Sequence, residues 1–593
     1  MTQTTETASG PEVFSELSKL SWEVMTRSPQ LLASMTRAAQ KDAPLSNSTQ
    51  LHLTRAFARL WLKMAQNPLY LARAQADLAW DTLSLWTYGL RKALGQDPKP
   101  AASAGPRDRR FRHEGWDNAV FDFIKQSYLV MARWITSTVD GVQGLDEDTA
   151  EQVSFYTKQF ADALSPSNFA MTNPEVLKTS VESLGANLAR GMRQLLADIE
   201  RGNGRLNIRR TDLEAFEVGR NLAVTPGKVV FQNELMQLIQ YEPTTEKAHK
   251  RPLLIVPPWI NKYYILDLQP KNSFVRWAVE QGFTVFIISW VNPTEELAER
   301  SFDDYMELGT LGALDAITQA TGEREVTAIG YCLGGTLLSA TLANMASRGD
   351  DRIKAATFFT TLTDFAEPGE IGVFIDNEQV SALVREMKKQ GVLEGAKMQT
   401  AFNMLRANDL IWSYVVSNYL LGQDPFPFDL LYWNSDATCM PAAMHAYYLR
   451  NMYVDNKLAE PGALTLGGQP IDLSKVQTPA YFLSCREDHI APWTSTYAGT
   501  QLLGSKDKRM VLSASGHIAG VVNPPAKKKY CYWTNGELPA DPERWLDGAA
   551  RAVAQDDRRA AGLLQARPGA LHRLGRRGDL AEGGHPPLGV GAG

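Results

Sequence analysis

Gly330-Tyr331-Cys332-Leu333-Gly334-Gly335 lies between an apolar run, EVTAIGYC (325–332), and a segment of helical period from Thr336 to Met345. A cysteine with glycine two residues away on each side is the pattern of a sharp strand-to-helix bend that lifts a nucleophile above a sheet edge. The bend is tight, so its neighbours must be small, and Gly330 and Gly334 meet that demand. It aims the N–H of the next residue, Leu333, at a developing oxyanion. The helix start adds positive potential that favours a thiolate. A buried structural cysteine on a glycine-rich turn is the competing explanation, and the strand–helix context favours the nucleophile.

A cysteine elbow needs an acid and then a histidine later in the chain. Asp488 ends the run TPAYFLSCRED (478–488), and His517 follows the last run, KRMVLSASGH (508–517). Asp364, which ends IKAATFFTTLTD (353–364), is a rival acid whose ordinary role would be a cap at a strand end. His489 is a rival base but precedes the last strand, and the remaining histidines lack any such context. A thiol takes an acyl group from a thioester with little change in free energy and keeps it activated, so the cysteine points to acyl transfer, with thiol hydrolysis as the alternative.

The loop VPPWINKYY (256–264) follows an early strand, where the α/β-hydrolase fold places the second oxyanion N–H. Pro258 has no N–H to give. Of Trp259, Ile260 and Asn261, Ile260 is the favoured donor, against the plainer reading of a proline-stiffened loop with aromatic packing. Cys439, Cys485 and Cys531 have neither C-x-x-C spacing nor a histidine pattern, so no metal site is read. No phosphate-cradling or dinucleotide glycine motif follows a strand, which leaves nucleotide hydrolysis and dinucleotide redox without support.

These residues need elements to hold them. The runs PLLIVPPW (252–259), FTVFIISW (283–290), 325–332, 353–364, 478–488 and 508–517 alternate with helix-period segments at 274–281, 305–320 and 336–345. Apolar runs without strict alternation predict strands buried on both faces, and strand–helix alternation predicts a mostly parallel sheet covered by helices. The aromatic interval 365–477 breaks the alternation and is read as a cap inserted over one end of the sheet. Upstream, apolar residues such as Leu60, Trp61, Met64, Leu69, Leu78 and Leu85 recur at helical spacing. The expected layout is a helical region over 1–95, a Pro/Gly/Ala-rich linker over 96–110 and further helices over 111–230, with Asn173-Pro174 as a helix start. The catalytic α/β domain spans 231–546, and a tail over 547–593, which has no aromatic residue, is expected to be disordered.

The 593 residues carry 61 basic and 66 acidic side chains, a net charge of −5 that argues against a general nucleic-acid binder. No apolar run reaches the ~18 residues that span a bilayer, and the opening residues lack a secretory pattern. Four cysteines in this length exclude a disulfide scaffold and fit a reducing compartment.

The elbow GYCLGGT together with VPPWINKYYILDL (256–268), ISWVNP (288–293), LLYWNSDAT (430–438), EDHIAPW (487–493) and SGHIAGVVNPP (515–525) resembles the polyhydroxyalkanoate synthases. Upstream, FDFIKQSYL (121–129), SPSNF (165–169) and NLAVTPGKVV (221–230) are similar to the same family, so the likeness runs from about 107 to about 546. The long helical N-terminus resembles the single-polypeptide class that acts on short-chain substrates. The resemblance implies an α/β-hydrolase fold with a cap, preceded by an all-helical region. It implies polymerisation of (R)-3-hydroxyacyl groups from coenzyme A thioesters through a Cys332 acyl-enzyme, with release of coenzyme A and no cofactor. His517 would deprotonate the thiol, and Asp488 would assist His517 or the attacking 3-hydroxyl. Trp433 matches a position tied to the cap or a dimer contact, with a core aromatic as the plain alternative. The implied partners are the growing polyester, the granule surface and a second copy of the chain, in the cytoplasm. A cysteine thioesterase or polyester hydrolase is the alternative activity, and a non-enzymatic granule-coat protein is a third. One departure stands out: where the family carries a Trp-rich stretch after Trp545-Leu546-Asp547-Gly548-Ala549, this chain turns to Ala, Arg and Gly, which points to a shifted reading frame or a divergent tail.

Overall fold

A computed structural model describes residues 47–105, 108–553 and 580–582. The helix expected over residues 11–46 and most of the tail expected to be disordered lie outside the described residues. Two units form by internal contacts: the chain up to Leu213 with Phe402–Pro427, and Glu214–Ala401 with Phe428 onward.

The first unit is helical. Helices span Asn47–Gln66, Pro68–Ala93, Ala119–Asp140, Glu147–Ala163, Pro174–Glu182 and Ala186–Arg201. Their starts are written locally. The Asn67 side chain accepts from Tyr70 N ahead of Pro68, and the Asn173 side chain accepts from Glu175 N and Val176 N ahead of Pro174. Each satisfies first-turn amides that have no partner within the helix. The Pro/Gly-rich stretch after residue 95 is not a free tether throughout, because buried Ala102 donates its N–H to Gln126 Oε1 at 2.8 Å.

The segment 402–427 packs within this unit, so the interval read as one cap is divided. Gly191 permits the contact: a Cβ there would sit 1.9 Å from Tyr419 O. Asn187 Nδ2 donates to Leu420 O at 2.8 Å, and the Tyr419 hydroxyl donates to Asp198 Oδ2 at 2.6 Å. Apolar content made 365–477 look continuous; backbone access at one glycine sends its middle elsewhere.

The second unit is built on a ten-stranded sheet: β1 Gly227–Gln232, β2 Met236–Tyr241, β3 Leu253–Val256, β4 Val285–Trp290, β5 Val326–Tyr331, β6 Ile353–Phe359, β7 Ala480–Cys485, β8 Lys508–Ser513, β9 Cys531–Thr534 and β10 Ala550–Val553. Their spatial order is 1-2-4-3-5-6-7-8-9-10. Strands β4, β3, β5, β6, β7 and β8 run parallel, and antiparallel strands flank them on both sides. Side chains alternate between two buried layers: Leu254 and Val256 of β3 pack in one, Leu253 and Ile255 in the other. Burial on both faces is what uninterrupted apolar strands require. This is the α/β-hydrolase fold.

Strand β10 corrects the expectation that structure ends near Trp545. Ala550–Val553 pairs antiparallel with β9, from Thr534↔Ala550 to Cys531↔Val553. An edge strand is held by backbone hydrogen bonds and needs no aromatic core. Here the Arg551 guanidinium also lies 5.8 Å from the Trp533 ring centre. Among the described residues no helix is long and apolar enough to cross a membrane.

One buried polar group stands apart. His445, on the helix Ala442–Tyr448, is buried with neither ring nitrogen hydrogen-bonded, and burial pushes its pKa down to about 4. The folded chain keeps this ring neutral, whereas the unfolded chain protonates it below about 6.5. Stability is therefore lost as pH falls from about 6.5 toward 4, by about 3 kcal/mol. His445→Leu is expected to flatten the acid side of the stability curve. Denaturant melts of both chains at pH 7 and pH 4.5 check this, and parallel losses in the two would contradict it.

Candidate active site

Cys332 sits immediately after β5, at the centre of the sheet, where the chain turns into the helix Leu333–Arg348. Its backbone lies at φ 52° and ψ −122°, a conformation that costs energy for a residue with a Cβ. The surrounding structure holds it there. Cys332 N donates to Phe359 O at 2.8 Å, and Cys332 O accepts from Gly335 N at 2.9 Å and Thr336 N at 3.2 Å. A Cβ on Gly330 would sit 2.5 Å from Gly335 Cα, and one on Gly334 would sit 2.1 Å from Val256 O and 2.7 Å from Pro257 O. Those obstacles are backbone atoms and cannot swing away. Gly334→Ala is expected to cost about 3 kcal/mol or more and to lower the thermal midpoint by on the order of 10 °C. Calorimetry checks this, and an unchanged midpoint would show that the elbow has room.

Asp488 and His517 come from the ends of the neighbouring parallel strands β7 and β8. Arg486 N donates to Ser513 O at 2.8 Å and Glu487 N to Ser515 O at 2.9 Å, which locks the two strand ends together. Ser515 turns the chain at φ 83° just before the histidine. His517 Nδ1 lies 2.7 Å from Asp488 Oδ2, with both side chains buried. The other carboxylate oxygen, Oδ1, accepts from Ile490 N and Ala491 N, each at 2.9 Å. With the carboxylate taking the Nδ1 proton, Nε2 is left to face the thiol, and His517 and Cys332 share a side-chain hydrogen bond. Burial alone would depress the imidazolium. The Asp488 carboxylate and the Cys332 sulfur outweigh it and hold the His517 pKa well above the usual value.

The rivals take other places. Asp364 Oδ1 accepts from Ala366 N at 3.0 Å and Asn456 Nδ2 at 2.8 Å, as a carboxylate capping a loop. His489 does not occupy the position at Asp488 Oδ2, which His517 fills. Leu333 opens the helix, so its N–H has no acceptor within the helix. Ile260 is half-buried in the core cluster that also packs Cys332. Its loop is strapped to the cap: Thr438 N donates to Ile260 O at 3.2 Å and Thr438 Oγ1 to Trp259 O at 2.6 Å. Trp433 is buried, and its Nε1 donates to Lys262 O at 2.7 Å, so it ties a cap helix, Asp429–Ser435, to the same loop.

Sequence reasoning missed two groups. Tyr331 packs its ring 5.9 Å from the His517 ring, and its hydroxyl donates to His517 O at 3.3 Å. Tyr448 and Tyr453, from the cap, lie close enough to Cys332 to feel its charge. The run Tyr447-Tyr448-Leu449-Arg450-Asn451-Met452-Tyr453 was visible in the sequence, but nothing local says that it faces the thiol.

A nucleophile with a base hydrogen-bonded to it, the base oriented by a buried acid and a free amide beside the sulfur, is an arrangement for acyl transfer. The family model for the N-terminus of poly-beta-hydroxybutyrate polymerases matches residues 107–278, and that for the alpha/beta hydrolase fold matches 252–524. The chain is 50% identical over 495 residues to a poly(3-hydroxyalkanoate) polymerase subunit of Rhizobium meliloti, covering 83% of this chain and 80% of the relative. It is 52% identical over 499 residues to the poly(3-hydroxyalkanoate) polymerase of Methylorubrum extorquens, covering 84% and 82%. Among solved structures, a monoacylglycerol lipase of Paleococcus ferrophilus is 15% identical, with a TM-score of 0.31 over 48% of this chain and 90% of that one. With half its residues shared over four-fifths of such relatives, the chain belongs to the poly(3-hydroxyalkanoate) polymerase family.

Proposed function

We propose that this chain polymerises (R)-3-hydroxyacyl groups from coenzyme A thioesters, with Cys332 as the acyl carrier. The hydrogen-bonded chain Cys332–His517–Asp488 carries the reading. His517 Nε2 takes the thiol proton as the sulfur attacks the thioester carbonyl. The N–H groups of Leu333 and Ile260 receive the oxyanion. The carbon–sulfur bond to coenzyme A breaks, and the leaving thiolate takes the proton from the imidazolium. The 3-hydroxyl of a second hydroxyacyl unit then loses its proton to His517 and attacks the Cys332 thioester. An ester bond forms, the carbon–Sγ bond breaks and the thiol regains the proton. Both carboxylate oxygens of Asp488 are already engaged, which supports an orienting role for it over direct contact with the 3-hydroxyl. Cysteine and imidazole suffice for both half-reactions, so coenzyme A enters as part of the substrate and no resident cofactor is invoked.

Attachment to the polymer granule fits the helical unit, whose helix Pro68–Ala93 exposes Trp80, Leu83, Trp86 and Leu90 at three- and four-residue spacing. Homodimers follow the family reading. Incubation with 3-hydroxybutyryl-CoA tests the function: free coenzyme A with insoluble polyester supports it, and free coenzyme A with free 3-hydroxybutyrate overturns it in favour of hydrolysis.

A further inference from the structure

The cap brings two phenols to the nucleophile. Tyr448 ends the helix Ala442–Tyr448, and Tyr453 lies in the π-helical turn Leu449–Val454 that continues it. In an α-helix of about 3.6 residues per turn, five positions carry a side chain well off its starting face. The i→i+5 pattern of a π-turn returns it to the same side, and such turns are frequent at functional sites. The two rings meet edge-on with centroids 5.4 Å apart at 88°, and Tyr453 packs against Phe365 at 4.9 Å. Both belong to the core cluster that packs Cys332.

Their hydroxyls are not equivalent. Tyr448 donates to Tyr453, so the Tyr453 proton is left over, and among the described residues no acceptor for it occurs. Burial, reinforced by negative charge at Cys332, keeps both phenols protonated far above their ordinary range. An unspent donor thus stands on the cap side of the thiol, in a wall otherwise made of aromatic and aliphatic carbon. A buried donor without an acceptor costs free energy, and a ligand oxygen removes that cost.

The acyl group supplies one oxygen at the right place. Its carbonyl oxygen faces the elbow amides at the base of the thiol, and the carbons beyond the carbonyl extend from the elbow toward the cap. The first polar group along them is the 3-hydroxyl. We propose that Tyr453, braced by Tyr448, donates a hydrogen bond to the 3-hydroxyl oxygen of the acyl group delivered to Cys332 and so selects hydroxylated over plain acyl thioesters. This rests on the acyl-transfer reading above and names what that site recognises. A site built to pair a substrate hydroxyl discriminates strongly against analogues that lack it, since its own donor is then stranded.

Single-turnover release of coenzyme A, measured with 3-hydroxybutyryl-CoA and with butyryl-CoA, tests the proposal. Tyr453→Phe is expected to slow release from the hydroxylated thioester by about 10- to 100-fold and to leave release from butyryl-CoA within about twofold of the wild-type chain. Tyr448→Phe is expected to give a smaller loss with the same selectivity. Equal losses with both thioesters, or no loss with either, overturn the proposal. If Tyr453→Phe does not fold, the selectivity of Tyr448→Phe decides it alone. A wild-type chain that releases no coenzyme A from the hydroxylated thioester refutes the acyl-transfer reading instead, which keeps the two failures distinct.

Discussion

Cys332→Ala is expected to abolish coenzyme A release from 3-hydroxybutyryl-CoA, with a loss of about 10⁵-fold, the scale seen when a covalent nucleophile is deleted. The thiol is the one group the site places at the elbow, hydrogen-bonded to His517 and next to the free amide of Leu333. Removing it leaves the base with nothing to activate. The fold should survive, because alanine fits wherever cysteine does at φ 52° and the strain there belongs to the backbone. Cys332→Ser is the sharper variant. It keeps a hydroxyl for His517, but transfer from thioester to oxyester gives up the driving force for the second step. An acyl-serine should therefore accumulate, visible as a mass increase of the intact chain, with little polymer. Normal release from the alanine chain would place the chemistry elsewhere.

Asp488→Asn is expected to cost about 10³- to 10⁴-fold in coenzyme A release, for a reason distinct from charge alone. The wild-type carboxylate accepts from His517 Nδ1, which leaves Nε2 unprotonated toward the thiol. An amide that presents its NH₂ to Nδ1 moves the imidazole proton to Nε2, and the ring can no longer take the thiol proton. The variant should also change how the ring titrates. His517 is held above its usual pKa because the attraction of Asp488 and Cys332 outweighs burial. Without the carboxylate, burial gains ground and the imidazolium should lose its proton at lower pH. Histidine-selective carbon-13 NMR reads this directly. A full-rate Asn chain, or one whose ring titrates at the wild-type pH, would remove Asp488 from the proposed role.

The elbow was the most legible feature because its requirements are local. Gly330 and Gly334 are demanded by contacts with residues that the bend itself brings near, so the pattern survives in the bare sequence. The parallel strands were legible because burial on two faces writes an apolar run into each of them. The acid was less so: Asp364 and Asp488 both end strands, and only strand order separates them. Strand β7 lies between β6 and β8, so its end abuts the turn that carries His517, while Asp364 is spent on Asn456. The cap was least legible. Aromatic content marked its extent, but a contact such as Gly191 with Tyr419 joins residues far apart in the chain, and no local signal marks it. Strand β10 escaped notice for a related reason, since edge pairing is specified by backbone hydrogen bonds and not by side-chain type.

By itself the sequence determined the nucleophile, the order in which acid and base follow it, and the alternating α/β framework, because short-range sterics and hydrophobic period act between near neighbours. Only the tertiary structure decided which carboxylate orients His517, how the interval between β6 and β7 divides, and that Tyr448 and Tyr453 reach the thiol. Those outcomes turn on which strand ends and cap segments become neighbours in space, and a hydrogen bond of under 3 Å between distant residues is set by the packing of the whole domain.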